Sequence, residues 1–129
     1  MAAKAFAFTK LIVGDIEQAE RFYCSTLGFT RTATIEAGEG EGQLREFILS
    51  LGDQRGPQLI LIQYLNRPTP APGESVLGFM VDDVPTSVDT MIAAGAKVVV
   101  PVTEVPEHGL KLAYVSDPQG HLIEILQPL

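Results

Sequence analysis

The chain has 129 residues, 46% of them apolar and 19% charged, a balance that excludes a disordered chain and suits one domain with a buried core. Its formal net charge of −7 comes with no Lys/Arg cluster, so nucleic acid and anionic membrane surfaces are not expected partners. No apolar run approaches the ~18 residues that span a bilayer, the start "MAAKAFAF" has no secretory character, and the single cysteine, Cys24, excludes an internal disulfide. A cytoplasmic location is expected. The charge is uneven: through Arg67 there are seven Lys/Arg and eight Asp/Glu, a net −1, and after it two and eight, a net −6.

Residues 6–13 are β-prone and apolar, and are read as a strand. Asp15 offers an N-cap oxygen, with Gln18 at the capping-box position. Ile16, Ala19, Phe22, Tyr23 and Leu27 then form one helical face, and Gly28 is placed to end the helix. Three β-like runs follow: "FTRTATIEA", "LREFILSL" and "PQLILIQYL", separated by "GEGEGQ" and the turn "GDQRGP". "NRPTPAPGES" carries three prolines and reads as an extended connector.

The order then repeats. "SVLGFMV" reads as a strand, Asp83 as an N-cap and Pro85 as a first-turn residue. Val84, Val88, Met91 and Ile92 form the apolar helix face, and Gly95 is the stop. "AKVVVPVTEV", "LKLAYVSD" and "HLIEILQP" are the closing β-like runs. The chain therefore reads as one α+β domain over residues 1–129, built from two βαβββ units: about 5–65 and about 76–129, joined by about 66–75.

The repeat resembles the vicinal oxygen chelate superfamily, which includes glyoxalases, extradiol dioxygenases, epimerases and drug-binding resistance proteins. The resemblance rests on "LIVGDIEQAERFYCSTLGF", on "FMVDDV" followed by a helix ending "AAGA", and on "VSDPQGHLIEIL". It implies two modules forming an incomplete barrel around a cleft, and a homodimer. Such folds host many chemistries, so residues must decide function.

Metal-using members of this superfamily place ligands on the strands that open and close each module. Carried onto this chain, those positions fall on Phe8, Val76, Leu61 or Gln63, and Glu124. Phe and Val cannot bind a metal, and a divalent catalytic site normally has three protein ligands. The expectation is a site with no metal cofactor. Phe8, Leu61, Gln63, Val76 and Glu124 would be ligand-binding residues in a largely apolar cleft.

Glu124 is the expected key polar group, either hydrogen-bonded with Gln63 as a candidate partner, paired with a cationic ligand group, or acting as a general base. His121 lies an odd number of residues from Glu124, which places it on the opposite strand face. His108, in "VPEHGLK", is read as a solvated turn residue, with proton transfer as its functional alternative. Cys24 has no neighbouring activating base in sequence and is read as structural. Phe6, Phe8, Phe47, Tyr64, Phe79 and Tyr114 are read, as a set, mainly as core, with Phe8 the one most suited to a cleft.

The leading expectation is a metal-independent protein that binds a small organic molecule. The alternatives are a lyase, isomerase or epimerase using Glu124 as general base, and a divergent metal enzyme joining Glu124 to Gln63, His108 or His121.

Overall fold

The computed structural model describes residues 1–52 and 56–129. It divides into two units, Met1–Pro70 and Ala71–Leu129, and the division falls within the proline-rich stretch. The central part of "GDQRGP" lies outside the described residues.

In the first unit, β1 (Phe8–Ile12) leads into α1 (Ile16–Leu27), and β2 (Phe29–Ala37), β3 (Leu44–Leu51) and β4 (Gln58–Tyr64) follow. The sheet order is β1-β4-β3-β2, with β1 parallel to β4 and the other neighbours antiparallel. The Asp15 side chain accepts from Gln18 N–H at 3.0 Å and starts the helix. Gly28 ends it at φ 80°, a left-handed conformation open to glycine without a Cβ penalty.

The buried helix face is Ile16, Ala19, Phe22 and Tyr23. It shares the first unit's core with Leu11, Val13, Phe47, Leu49, Leu59 and Leu61. Phe22 and Tyr23 meet edge to face at 5.2 Å between ring centroids. Arg31 and Arg45 place their guanidiniums 3.8 and 5.0 Å from the centre of the Phe47 ring. Both arginines also ion-pair with α1, to Glu20 and Glu17 respectively, so they lie on the helix side of the sheet.

The second unit repeats the plan with β5 (Val76–Met80), α2 (Val84–Ala93), β6 (Lys97–Val105), β7 (Leu110–Ser116) and β8 (Leu122–Pro128). Its order, β5-β8-β7-β6, is that of the first sheet shifted by four strands. Asp83 caps α2 by accepting from Thr86 N–H at 3.0 Å. Ala94 is the C-cap and Gly95 follows at φ 103°. Val84, Val88 and Met91 are buried, but Ile92 is 45% exposed. It sits at the margin of the apolar stripe, one residue beyond Met91, and turns outward. Pro101 is accommodated because β6 is an edge strand whose register shifts between Val100 and Thr103, the interval that contains it.

The α+β class and both βαβββ units follow the sequence expectation, with strand ends moved by one or two residues. Each sheet is open. Of the six aromatics read mainly as core, only Phe47 is fully buried; Phe6 and Phe8 are exposed, and Tyr64, Phe79 and Tyr114 are half-buried.

Candidate functional site

The two glutamines near the end of β4 and β8 identify the helix-facing side of each sheet. Gln63 Oε1 accepts from Ile16 N–H at 3.0 Å, and Gln127 Oε1 accepts from Val84 N–H at 2.6 Å. Each satisfies an otherwise orphan donor at a helix N-terminus. Side chains alternate along a strand, so Leu61 and Ile125, two residues earlier, share that side and are completely buried. Ile60 and Glu124 stand on the opposite, helix-free side.

This register corrects the placement expected from counting along the sequence. The first-unit counterpart of Glu124 is Ile60: Lys10 pairs with Ile60 as Gly78 pairs with Glu124, and Phe8 pairs with Gln58 as Val76 pairs with Leu122. Leu61 has no exposed surface with which to touch a ligand. Gln63 has its oxygen committed to α1, and is not the partner of Glu124. A sequence signal was present: "ILIQ" and "EILQ" align when the two glutamines are matched.

On the helix-free face of the second sheet, Glu124 is half-buried. Its cross-strand neighbour is Tyr114 on β7, whose hydroxyl donates to Glu124 Oε1 at 3.0 Å. Glu124 Oε2 accepts no hydrogen bond from the described residues. Tyr114 is held above the usual phenol range, first by this hydrogen bond, then by burial and by the carboxylate charge.

On the other side of Glu124 stands Gly78, and a Cβ built there would meet nothing within 4 Å. The space beside the carboxylate on β5 is therefore open. Val76 and Met80 flank it on the same face, 50% and 64% exposed. Together these residues make an apolar surface carrying one carboxylate fixed through a single oxygen. Tyr114 was read from sequence mainly as core and Gly78 was not singled out, because cross-strand neighbours are far apart along the chain.

Phe8, at the start of β1 in the first unit, is 47% exposed. His121 is buried and faces away from Glu124; its Nδ1 lies 3.0 Å from Asp117 Oδ2, and its backbone N–H donates to Asp117 Oδ1 at 2.9 Å. It closes the turn into β8. His108 is exposed at the 3-10 turn Pro106–His108 between β6 and β7. Glu124 pairs with Tyr114, and Leu110 is already about 13 Å farther along β7 by strand rise, so His108 does not reach Glu124. Cys24 is half-buried, and burial, with Glu20 nearby, pushes its thiol up while Arg31 partly opposes this. That is the reverse of an activated nucleophile.

The metal-ligand positions implied by the sequence resemblance thus hold Phe8, Ile60, Val76 and Glu124. Among the described residues, no group of three or more His, Cys, Asp or Glu side chains is placed to hold a metal ion. One carboxylate with apolar neighbours does not fit a three-ligand divalent site.

The family model of the Glyoxalase/Bleomycin resistance protein/Dioxygenase superfamily matches residues 5–125. The chain belongs to this superfamily. A probable lactoylglutathione lyase of Vibrio parahaemolyticus is 30% identical over 122 residues, covering 92% of this chain and 87% of the relative. A glyoxalase family protein from Bacillus cereus superposes with a TM-score of 0.85 at 19% identity, covering 100% of this chain and 97% of that one. An antibiotic binding protein from Streptomyces sp. CB03234 superposes with a TM-score of 0.72 at 25% identity, covering 100% and 99%. The proteins similar to this one thus include a probable lyase and an antibiotic binding protein. No helix among the described residues is long and apolar enough to cross a membrane.

Proposed function

We propose that the protein is a metal-independent member of the superfamily that binds a small organic molecule, with Glu124 as the polar anchor. The observation that carries this reading is the carboxylate itself: Tyr114 holds Oε1, Oε2 accepts no hydrogen bond from the described residues, and the flanking β5 face is open at Gly78 and apolar at Val76 and Met80. A carboxylate in such a wall selects ligands with a hydroxyl, amide or ammonium donor, while the apolar surface takes the rest. The similarity to an antibiotic binding protein supports a binding role.

A second reading is supported by the 30% identity to a probable lactoylglutathione lyase. In it, Glu124 Oε2 accepts a substrate proton and later returns it, while Tyr114 stabilises the anionic and hydrogen-bonded state through Oε1. Among the described residues no set of three or more His, Cys, Asp or Glu side chains is placed to hold a metal for that chemistry, so in this reading the proton transfer rests on the side chains.

Elemental analysis together with Glu124→Gln separates these readings. The binding role predicts metal-poor protein, no lactoylglutathione lyase activity, and loss of affinity in Glu124→Gln for ligands that donate to the carboxylate. Turnover that Glu124→Gln destroys while sparing affinity supports the lyase reading instead. Near-stoichiometric Ni, Zn, Fe or Mn, with activity lost on chelation, overturns metal independence.

A homodimer is part of the same proposal. Val98, Val99, Val100 and Val102 are all exposed on edge strand β6, an apolar run that a second copy would cover. Light scattering should then give twice the 13.9 kDa chain mass, and a monomer at micromolar concentration would remove this element.

A further inference from the structure

Beside Glu124 the second sheet has a gap that neither its backbone nor its packing explains. Gly78 lies inside β5 and pairs with Glu124 of β8. Its φ is not positive, so its backbone conformation is open to any L-residue. A Cβ built there meets nothing within 4 Å, so no neighbour forbids a side chain. Glycine inside a strand weakens it, and often marks a bulge or a place where a ligand comes close to the backbone. The register of β5 on β8 runs without a shift from Val76 and Leu122 to Met80 and Leu126, which excludes a bulge.

The first unit shows what the sheet needs at these positions. There Lys10, Ile60 and Ile48 occupy the register of Gly78, Glu124 and Tyr114. The same strand order therefore forms without the acid, its tyrosine or the gap. Lys10 Nζ lies 2.6 Å from Glu46 Oε2, so the opening strand of that unit brings a cation to a carboxylate of its own sheet. In the second unit the opening strand has no side chain at the matching position, although the acid stands beside it.

No other cation takes that part. β5 and β8 contain no Lys or Arg. Lys111 of β7 pairs with Gln127 on the helix side and lies 4.0 Å from Glu104. Lys97 is on edge strand β6, opposite Ser116 and two strands from Glu124. His121 faces away, toward Asp117. From Ala71 to Leu129 there are two Lys and eight Asp/Glu, a net −6.

We infer that the ligand of Glu124 is an organic cation, a protonated primary or secondary amine on an apolar body. The ammonium sits over Gly78 and donates to Oε2, where a lysine of β5 would otherwise reach. The apolar body lies along Val76 and Met80, both exposed on the same face. A hydrogen bond between ammonium and carboxylate is about twice as strong as one between neutral groups. The negative second unit also attracts such a ligand and repels an anion. A neutral alcohol fits the space but leaves the charge of Glu124 unanswered. This ligand class rests on the reading of Glu124 as a ligand anchor, and narrows it from any donor to a charged one.

The test is calorimetric titration of the intact chain at pH 7 with three probes that share a phenethyl body: phenethylamine, 2-phenylethanol and 3-phenylpropanoate. Phenethylamine should bind at least about tenfold more tightly than either other probe, and added salt should weaken it while sparing the alcohol. Glu124→Gln keeps an oxygen for Tyr114 and should abolish the preference. Glu104→Gln, which removes an exposed charge elsewhere in the same unit, should retain it. Gly78→Val fills the gap and should weaken the amine at least about tenfold, with thermal stability no lower than wild type because valine suits a strand. No binding of phenethylamine, a preference that survives Glu124→Gln, or unchanged amine affinity in Gly78→Val overturns the inference. If the alcohol binds as tightly as the amine and Glu124→Gln weakens both, the cation class fails and the anchor role of Glu124 stands. If Glu124→Gln alters the affinity of no probe, both fail.

Discussion

The Tyr114 hydroxyl donates to Glu124 Oε1 at 3.0 Å across neighbouring strands, ten residues apart in the chain. The bond turns a lone carboxylate on an apolar sheet face into an oriented one. Among the described residues it leaves Oε2 without a hydrogen bond.

That geometry sets how Tyr114 titrates. Ionising it removes the donor and places a phenolate beside a carboxylate, which keeps Tyr114 protonated above its ordinary 10.0. Glu124→Ala should therefore move one tyrosine of an ultraviolet difference titration downward toward that value. The sign for stability follows. The folded pKa is raised, so the contribution is fully present below about 10 and is lost as pH rises through the folded value. The wild type should lose stability over that alkaline window more steeply than Glu124→Ala. Coincident tyrosine titrations in the two proteins would show that the bond is absent in solution.

Gln63 and Gln127 should matter for folding rather than for ligand. Each supplies the acceptor for a helix N-terminal N–H, and Gln127 also donates through Nε2 to Asp82 O at 3.2 Å. Replacement by Ala should cost about 1 kcal/mol at either position, by the scale of N-terminal caps. Gln63→Glu keeps an acceptor and adds favourable charge at the helix N-terminus, so it should stay within about 0.5 kcal/mol of wild type. Urea unfolding measures both. A loss of ligand affinity in Gln63→Ala at unchanged stability would return Gln63 to the site.

Leu61 is a packing residue by the same logic. It is completely buried and stands opposite Phe47 on β3 and Leu11 on β1. Leu61→Ala should cost about 2–5 kcal/mol through lost burial and the cavity left behind. Ligand affinity should be unchanged under conditions where the variant is folded. A small stability change with a large affinity change would place Leu61 in the ligand site.

Cys24 should react slowly with thiol reagents at neutral pH, because its thiol is pushed up by burial and by Glu20. Glu20→Gln should speed the reaction modestly. Thiolate-like reactivity in the wild type would contradict the burial seen at this position.

Much of the fold was legible in local pattern. The Asp15 and Asp83 caps, the apolar faces of α1 and α2, the glycines after each helix and the runs that became β2 and β3 all depend on residues within a few positions of one another. Their chemistry is complete within a short window, so the sequence carries it openly.

What only the tertiary structure decided is pairing between strands. Counting residues placed the counterpart of Glu124 at Leu61 or Gln63, and a shift of one residue exchanges the faces of a strand. The hydrogen bonds of β4 to β1 and β3 put Ile60 there instead. Tyr114 beside Glu124, Gly78 opposite it, and Lys10 with Glu46 across β4 are likewise products of register. Their partners lie ten to forty-six residues apart, and a one-dimensional pattern holds no record of which strands meet or in what alignment. The sequence by itself determined two βαβββ units and one carboxylate in the last strand; the folded sheets determined what that carboxylate touches.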